Sequence, residues 1–394
     1  MNILYVALDD PRLTNCGSCQ RTHFLWEALK RLGTVYTVVG SSDAGEDPID
    51  VGDNIHLVRY QPKSALTRLA VRWFRRFTKY GSWPFRNVQE FRRRIGWADI
   101  RFDVVVVRCL GATASAMAWK IAPTYVDIDD MPLLAFRNFL VKTLPFGCRT
   151  IGHVLMKWWQ GYVLRKCVGV WVVKSEDEVY LPKRLPRAVL PNLARPAPAS
   201  YRIGGRQEQL LMSVGLMGYS PNYQGVDWFV ENVWKKFQAK HPGWRYAIAG
   251  RGAPGSYCQR WSSVPGVDVM GFVDDLDELY ERSTAVVAPI FSGAGTCIKI
   301  VESALHGRRT FVTPFAVRGI TAGDLERLGF IPFDGYEDFE NSHRIWMRQS
   351  ADERHERERE IKANAQEYNS FDRFAEAVRY SIIRNKSRSD NQRA

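Results

Sequence analysis

Lys299 and Glu302 are the two side chains whose types and spacing point most directly to chemistry. They follow a glycine-containing turn at residues 293–296 (Gly-Ala-Gly-Thr), at the start of a predicted helix that ends at Gly307. Glycine has no Cβ, so backbone N–H groups in such a turn can approach a ligand, and the positive end of the helix dipole favours a phosphate there. The ammonium of Lys299 suits a phosphate oxygen, and the carboxylate of Glu302 can accept hydrogen bonds from a ribose diol. The pattern indicates a site for a phosphorylated ligand.

A short strand–turn–helix unit must position these side chains. Residues 286–288 (Val-Val-Ala) form the end of a predicted buried strand, which Pro289 closes. Helical residues three apart share one face, and helical side chains lean toward the helix start, so Lys299 and Glu302 are both expected to point at the turn, on the face next to the buried one. An ordinary strand–turn–helix with a surface Lys–Glu pair is the simpler interpretation of the same residues.

The run from Ala288 to Gly307 resembles the nucleotide-sugar site of the family-4 retaining glycosyltransferases, which have the GT-B fold. In that family a Gly-x-Gly-Thr-x-x-Lys-x-x-Glu run ends in a glutamate that holds the donor ribose. The resemblance implies donor-binding roles for four residues, and catalytic roles for the last two of them: Gly295, Thr296, Lys299 and Glu302.

Other predicted strand ends in the second half of the chain carry donor-site residues by the same resemblance. Gly215 ends a strand at a place where the backbone can approach a diphosphate. The loop with Phe272 and Val273 resembles the loop that holds the base through main-chain contacts. Arg251, between two glycines, can bind a diphosphate because its guanidinium matches phosphate oxygens, and the resemblance gives it a catalytic role. A solvated turn arginine explains its position equally well.

The chain opens with a strand, a polar loop, a helix and a second strand, which is how a doubly wound α/β domain begins. Ligands bind such domains at the carboxyl ends of the strands, so the loop at residues 9–21 is expected to face a ligand. In GT-B enzymes the matching glycine-containing loop lies under acceptor and donor. The resemblance places Gly17 there.

Cys16 and Cys19 lie in this loop with two residues between them. A Cys-x-x-Cys between strand and helix is also the thioredoxin position, and thiolate pairs bind zinc. The domain is too long for a thioredoxin, and no second pair completes a zinc site. The seven cysteines are scattered and odd in number, which fits reduced thiols. We therefore expect two free thiols.

Three acidic residues stand at the end of one predicted strand: Asp127, Asp129 and Asp130. Clustered carboxylates at a strand end can bind a metal, act in acid–base chemistry or cap the next helix. Asp127-x-Asp129 matches the metal-binding phrase of the GT-A fold, but the two-domain organisation argues against that fold and so against a metal. Related family-4 sequences have an Asp-x-x-Asp phrase here, which implies that Asp127 and Asp130 contact the acceptor or the transferred sugar, with a catalytic role for Asp127. Helix capping is an equal alternative.

The net charge of +13 is concentrated in one stretch. Ten basic residues and one acidic residue lie between Lys63 and Arg94, a net charge of +9. Apolar side chains recur there at helical spacing, and four basic ones recur on another face: Arg68, Arg72, Arg75 and Lys79. A solvated helix face, nucleic acid and an anionic membrane surface all fit. We rank the membrane first, because aromatic residues interleave with the arginines and no nucleic-acid recognition motif accompanies them.

A chain of 394 residues is long enough for two domains, and five prolines between Leu181 and Pro198 mark a linker. The predicted architecture is α/β and GT-B, with two Rossmann-like doubly wound domains facing a cleft and C-terminal helices crossing back to the first domain. The predicted segments are an acceptor-binding domain at 1–195, a nucleotide-sugar-binding domain at 208–348, and helices at 349–384 that pack on the first domain.

Two places depart from the family pattern. Ala294 stands where many members have the first of two glutamates, the one that contacts the sugar hydroxyls. Residues 218–225 lack the basic residues that many members carry after the first strand of the second domain. The resemblance therefore leaves the donor sugar open, and the diphosphate charge falls on Arg251, Lys299 and the amides of residues 295–296.

These observations predict a retaining glycosyltransferase that moves a sugar from a nucleoside-diphosphate sugar to a hydroxyl acceptor, on a lipid-linked or polysaccharide intermediate. No metal, cofactor or nucleic acid is expected; the expected partners are the nucleotide sugar, the acceptor and an anionic membrane surface. No apolar run reaches about 18 residues and no leader is evident, so we expect a cytoplasmic protein, peripheral on the inner face of the cell membrane. A nucleotide-sugar epimerase of the same fold and a non-catalytic partner subunit are the alternatives.

Overall fold

The computed structural model describes residues 1–41, 48–59, 93–134, 146–203, 208–293 and 295–391. The chain divides into two compact units. The first unit is Met1–Asn192 together with Phe371–Ala394, and the second is Leu193–Ser370. The chain therefore leaves the first unit, forms the second and returns for its last helix.

The described residues of the first unit contain one eight-stranded sheet. Its strands are β1 (Asn2–Ala7), β2 (Thr34–Ser41), β3 (Ile49–Asp50), β4 (Ile55–Arg59), β5 (Val104–Arg108), β6 (Thr124–Ile128), β7 (Gly169–Val172) and β8 (Arg187–Val189). They lie in the order β3-β4-β2-β1-β5-β6-β7-β8, and all neighbours are parallel except β3 and β4. The chain moves outward from β1 on both sides, so the carboxyl ends of β1 and β5 flank the point where doubly wound domains bind ligands.

The second unit contains a six-stranded sheet that is parallel throughout. Its strands are β9 (Leu210–Val214), β10 (Arg245–Ala249), β11 (Val267–Gly271), β12 (Ala285–Ala288), β13 (Thr310–Val312) and β14 (Phe330–Pro332). Their order is β11-β10-β9-β12-β13-β14. Here β9 and β12 are the central pair, so their carboxyl ends form the corresponding ligand position.

The α-helices of the described residues connect these strands. They are α1 (Gly17–Lys30), α2 (Leu110–Ala116), α3 (Phe146–Leu164), α4 (Ser220–Phe229), α5 (Lys235–Lys240), α6 (Gly255–Ser262), α7 (Leu276–Arg282), α8 (Ile298–Leu305), α9 (Ala322–Arg327), α10 (Tyr336–Arg348), α11 (Ala351–Tyr368) and α12 (Phe371–Asn391). None of the helices within the described ranges is both long enough and apolar enough to cross a bilayer. Parallel strands joined by helices confirm the prediction of two doubly wound α/β domains.

The two C-terminal helices belong to different units. α11 packs against α8 of the second unit, where Ile361 is completely buried. α12 packs against α1 of the first unit, and its Asp372 pairs with Arg31 at 2.8 Å. The sequence led us to expect all of residues 349–384 on the first domain. The structure instead divides them at Ser370, because α11 carries apolar side chains that complete the core beside α8.

Candidate functional site

The predicted glycine turn follows β12, one of the two central strands of the second sheet, and leads into α8. β12 is buried along its whole length, and Cys297 is the residue directly before α8. Arg318 fixes the turn, because its guanidinium donates hydrogen bonds to the carbonyl oxygens of Gly293 at 3.4 Å and Gly295 at 3.2 Å. The turn therefore fixes the position of the first N–H groups of α8, which have no hydrogen-bond acceptor within the helix.

Lys299 extends from the first turn of α8 toward the end of β9. Its half-buried Nζ donates a hydrogen bond to Oδ1 of Asn222 at 2.7 Å. The amide nitrogen of Asn222 donates in turn to the carbonyl oxygen of Leu216 at 2.8 Å. Desolvation lowers the pKa of the Lys299 ammonium. A partly desolvated ammonium in a fixed position is well suited to bind an anion, because phosphate oxygens can replace the water molecules that the ammonium has lost.

Gly215 and Gly250 occupy the ends of the adjacent strands β9 and β10. Gly215 has a φ of +154°, and a Cβ at this residue would stand 2.5 Å from Nζ of Lys299. Gly250 has a φ of +140°, and a Cβ there would stand 1.7 Å from the carbonyl oxygen of Gly215. The two glycines therefore allow two strand ends and the Lys299 ammonium to meet with no side chain between them.

Glu302 lies one turn further along α8 and is buried, with only 8% of its surface exposed. Its Oε1 is 3.6 Å from Nε of Arg195, and burial raises the pKa of the Glu302 carboxyl despite this cation. Arg195 also binds Asp277 with both terminal nitrogens, at 3.0 and 2.6 Å. The simpler interpretation, a surface Lys–Glu pair, therefore does not fit, because Lys299 is bound to Asn222 and Glu302 faces Arg195.

His306, the residue that follows α8, holds the carboxylate of Asp277. Its ring is completely buried, with Nε2 at 2.7 Å from Oδ1 of Asp277 and Nδ1 at 2.8 Å from the carbonyl oxygen of Glu302. The ring stacks on Tyr280 with centroids 4.2 Å apart. Asp277 therefore joins His306 and Arg195, and this chain of contacts fixes the cation that faces Glu302.

The remaining donor-site candidates lie at strand ends around this place. Arg251 is exposed on the turn that follows β10, next to Gly250. Phe272 is exposed and Val273 half-buried after β11, and Thr296 is half-buried in the glycine turn. The structure brings Gly215 and Lys299 into contact and leaves Arg251 and Phe272 facing solvent. Both exposed side chains lie at the carboxyl edge of the sheet, which is the edge at which doubly wound domains bind ligands.

Asp127 of the first unit is completely buried, which differs from the expectation that it contacts acceptor or sugar. Its Oδ1 is 2.5 Å from Arg21 of α1, and its Oδ2 is 3.1 Å from Nε of Arg108 at the end of β5. Both guanidiniums are buried as well. Because the two carboxylate oxygens already bind two buried cations, the geometry is that of an internal ion-pair network that ties α1 to the sheet.

Three other residues at this edge of the first sheet have different environments: Asp129, the acceptor-side candidate Asp130 and the donor-binding candidate Gly17. Asp129 is nearly buried and accepts a hydrogen bond from Arg108 at 2.7 Å. Asp130 is half-buried, and its backbone N–H donates to Oδ1 of Asp129 at 2.9 Å. Gly17 is the exposed first residue of α1. Asp130 and Gly17 are thus reachable from solvent at this edge of the first sheet.

Cys16 and Cys19 form a disulfide bond, so the expectation of two free thiols is wrong. Cys16 is the residue that precedes α1, and the first helical turn brings the two Cα atoms to 5.0 Å, within the range that a disulfide spans. Asp9 lies close to both sulfurs, a grouping that otherwise has the ligands for a metal ion. The bond between the sulfurs uses the thiolates that such an ion would need.

The four basic residues expected to face a membrane lie outside the described residues: Arg68, Arg72, Arg75 and Lys79. Sequence reasoning missed four residues that the structure places around Lys299, Glu302 and the glycine turn: Asn222, Arg195, Asp277 and Arg318. The Pro-Asn sequence at residues 221–222 is noticeable in the sequence, but only the fold shows that its amide reaches Lys299. The other three contacts carry no local sequence signal.

A comparison with models of protein families finds a match in the second unit. Residues 208–331 match the family model described as Glycosyl transferases group 1, which spans the strands and turns of the nucleotide-site candidates in the second unit. A comparison with the sequences of curated proteins finds no match.

Solved structures are similar over nearly the whole chain. Sucrose-phosphate synthase from Thermosynechococcus elongatus superimposes with a TM-score of 0.66 at 12% identity, covering 98% of this chain and 99% of its own. WaaG, a glycosyltransferase involved in lipopolysaccharide biosynthesis, gives 0.61 at 12% identity, with 97% and 99% covered. Anabaena HepE in complex with UDP gives 0.60 at 11% identity, with 97% and 100% covered. At these identities the similarity shows the fold, which is GT-B, as predicted.

Proposed function

We propose that the protein is a glycosyltransferase that binds a nucleoside-diphosphate sugar at the end of the second sheet and transfers the sugar to a hydroxyl group. The observation that carries the proposal is the meeting of Lys299 with Gly215 beside the glycine turn of α8. A half-buried ammonium, two glycines and the start of a helix together make a site for a diphosphate. The family match of residues 208–331 supports the same function.

The chemistry that this site supports is stabilisation of the leaving group. The bond between the sugar carbon and the diphosphate oxygen breaks, the acceptor oxygen forms the new bond to the same carbon, and the proton of the acceptor hydroxyl passes to the departing diphosphate. Negative charge grows on the diphosphate as it leaves, and we propose that Lys299, Arg251 and the amides before α8 stabilise it. We propose that Glu302, which is buried beside Arg195, accepts hydrogen bonds from the ribose. We propose retention of configuration, following the family that the motif resembles.

The acceptor and the setting of the reaction also belong to this proposal. We propose a lipid-linked or polysaccharide acceptor, with Asp130 on the acceptor side in the first unit and Gly17 as a donor-binding residue there. We propose that Asp127 acts there by holding Arg21 and Arg108, since its own oxygens are paired. The concentration of basic residues supports a peripheral protein on the cytoplasmic membrane face. The reaction as proposed uses neither metal nor cofactor.

The test is an assay of sugar transfer from a panel of UDP-, GDP- and ADP-sugars to a membrane lipid extract. Nucleoside diphosphate release that depends on the extract, and that falls at least about tenfold in Lys299→Ala and in Glu302→Ala, supports the proposal. Lys235→Ala is the control, because Lys235 pairs with Glu231 on the exposed surface of the second unit. Release of free sugar without any extract indicates the epimerase instead, and no release with any donor indicates a non-catalytic subunit.

A further inference from the structure

Helix α3 (Phe146–Leu164) carries a cluster of large apolar side chains that are exposed to solvent. Five of them are strongly exposed: Ile151 at 65%, Val154 at 58%, Leu155 at 62%, Trp158 at 66% and Tyr162 at 46%. Isolated exposed apolar residues are ordinary, but five within twelve residues are a contiguous patch, and such patches mark interaction sites. We call these five residues the α3 apolar face.

The spacing of the α3 apolar face shows that it is a single surface. Its members stand at positions i, i+3, i+4, i+7 and i+11, which is one side of an α-helix. The opposite side of the helix is already occupied: Met156, Val163 and Leu164 are buried in the core of the first unit. Rotation of the helix therefore cannot hide the apolar face without exposing that core. About 17 Å of helix, at 1.5 Å per residue, present it to solvent.

Three exposed basic residues lie beside this face. Lys157 is exposed on α3, and Arg165 and Lys166 are exposed directly after its last residue, Leu164. From Met131 to Ser175 the sequence holds seven basic residues and no acidic one. A second copy of the chain would bring an equally basic rim against this one, which disfavours self-association. An anionic surface with an apolar interior is complementary to both features.

The aromatic residues of the face have the chemistry of a bilayer interface. Trp158 and Tyr162 stack with centroids 5.9 Å apart, and Nζ of Lys166 lies 5.6 Å from the Tyr162 ring. Indole and phenol rings favour the headgroup level, because one end is apolar and the other forms hydrogen bonds. Lysine and arginine at the edge of such a helix reach the lipid phosphates while their methylene chains stay in the apolar layer.

We propose that the α3 apolar face is the surface by which this protein binds an anionic lipid bilayer, with the helix lying in the plane of the interface. The five side chains enter the boundary between headgroups and acyl chains, and Lys157, Arg165 and Lys166 contact phosphates. The binding to lipid is argued from α3 alone and not from residues 63–92, which lie outside the described residues. The use of this surface for reaching a lipid-linked acceptor rests on the proposed function.

Flotation with vesicles tests the surface directly. Vesicles of phosphatidylglycerol mixed with phosphatidylcholine are compared with vesicles of phosphatidylcholine alone. The double variant Leu155→Ser with Trp158→Ser removes apolar area, and Lys157→Glu with Arg165→Glu reverses charge. Both change exposed residues, so the thermal unfolding temperature of each is expected to match the wild type. Ile345→Ser is the control, since Ile345 is 55% exposed on α10 of the second unit.

The proposal expects the wild type and Ile345→Ser to float with the anionic vesicles, and both double variants to partition at least about tenfold less. Equal flotation of wild type and variants overturns it. So does a wild type that is dimeric by light scattering and becomes monomeric in the Leu155/Trp158 variant, because the face would then be a protein interface. Nucleotide binding is expected to be the same in every variant. A protein that floats but binds no nucleotide contradicts the proposed function and leaves this surface standing.

Discussion

The ammonium of Lys299 and the side-chain amide of Asn222 are joined by a hydrogen bond of 2.7 Å, although they are 77 residues apart in the chain. The bond directs Lys299 from α8 across the sheet to Gly215 at the end of β9, where no Cβ interferes. Asn222 thus orients the cation, and an incoming phosphate finds it already in place. Such preorganisation lowers the cost of binding and of stabilising charge.

Loss of Lys299 is expected to affect turnover more than loss of Asn222. Lys299→Ala should lower kcat by more than about tenfold, a loss of about 1.4 kcal/mol or more, because the charge on the leaving diphosphate is no longer neutralised. Asn222→Ala should mainly raise the KM for the donor, by about threefold, because the ammonium remains but is no longer oriented. Steady-state kinetics with a varied nucleotide sugar measure both. Equal kcat in wild type and Lys299→Ala would show that this ammonium does not act on the leaving group.

Asp127→Asn is expected to destabilise the first unit, because it leaves the buried guanidiniums of Arg21 and Arg108 without the carboxylate between them. Removing one partner of a buried ion pair costs about 3–5 kcal/mol. Urea unfolding followed by circular dichroism measures this loss. Asp130→Asn, at the same strand end but half-buried, is the control and should cost less than about 1 kcal/mol. A fully stable Asp127→Asn protein that transfers no sugar would restore the direct catalytic role expected from the sequence.

His343 gives the second unit a stability that depends on pH. Its ring is buried between Phe237 and Trp244, and desolvation, with a smaller effect of His241, lowers its pKa to about 4. The unfolded chain takes up a proton near the ordinary value of 6.5, whereas the folded chain does so only near 4. The free energy of unfolding therefore has its full value, as far as His343 is concerned, above about pH 6.5. It falls by about 3 kcal/mol as the pH drops to about 4.

Replacing the histidine tests that sign. His343→Leu replaces the ring with an apolar side chain that does not titrate. The free energy of unfolding of this variant should therefore change less than that of the wild type between pH 7 and pH 4. Chemical unfolding at several pH values measures both proteins. An identical pH dependence in wild type and His343→Leu would be incompatible with a neutral buried ring.

The Cys16–Cys19 bond is expected to contribute modestly to stability. It closes a loop of only four residues, for which the entropy model gives about 2 kcal/mol at most. A dithiol reductant should lower the unfolding temperature of the wild type slightly and leave the double variant Cys16→Ser with Cys19→Ser unchanged. Mass spectrometry after alkylation without reduction should show both cysteines unmodified. Alkylation of both cysteines would show that they are free thiols, as expected from the sequence.

Local pattern was enough to predict the elements that form the site. The strand, turn and helix from Val286 to Leu305 were recognisable because a buried strand, glycines and a helical period are each encoded by adjacent residues. The same holds for the two sheets, whose parallel order follows from alternating strands and helices. The assignment of Glu302 to the donor site stays a prediction, and the depth of its burial was not predicted.

Contacts between distant segments were beyond the reach of sequence patterns. Arg21 and Asp127 are 106 residues apart, and nothing near either one indicates the other. Asp127 was therefore assigned from its place in a motif, whereas its partners decide its role. The division of the C-terminal helices at Ser370 is another such case. Helical period predicts that α11 and α12 exist, but only the core that each completes decides where they pack.

The most direct test of the account is whether the second unit binds a nucleotide through Lys299. Thermal unfolding is measured with UDP, GDP, ADP and CMP, each alone and as its sugar conjugate, for the wild type and Lys299→Ala. One nucleotide should stabilise the wild type, by about 2.7 kcal/mol at about a hundredfold excess over its Kd, and should stabilise Lys299→Ala far less. No stabilisation by any of them, or equal stabilisation of both proteins, would contradict a nucleotide-sugar site at Gly215 and Lys299.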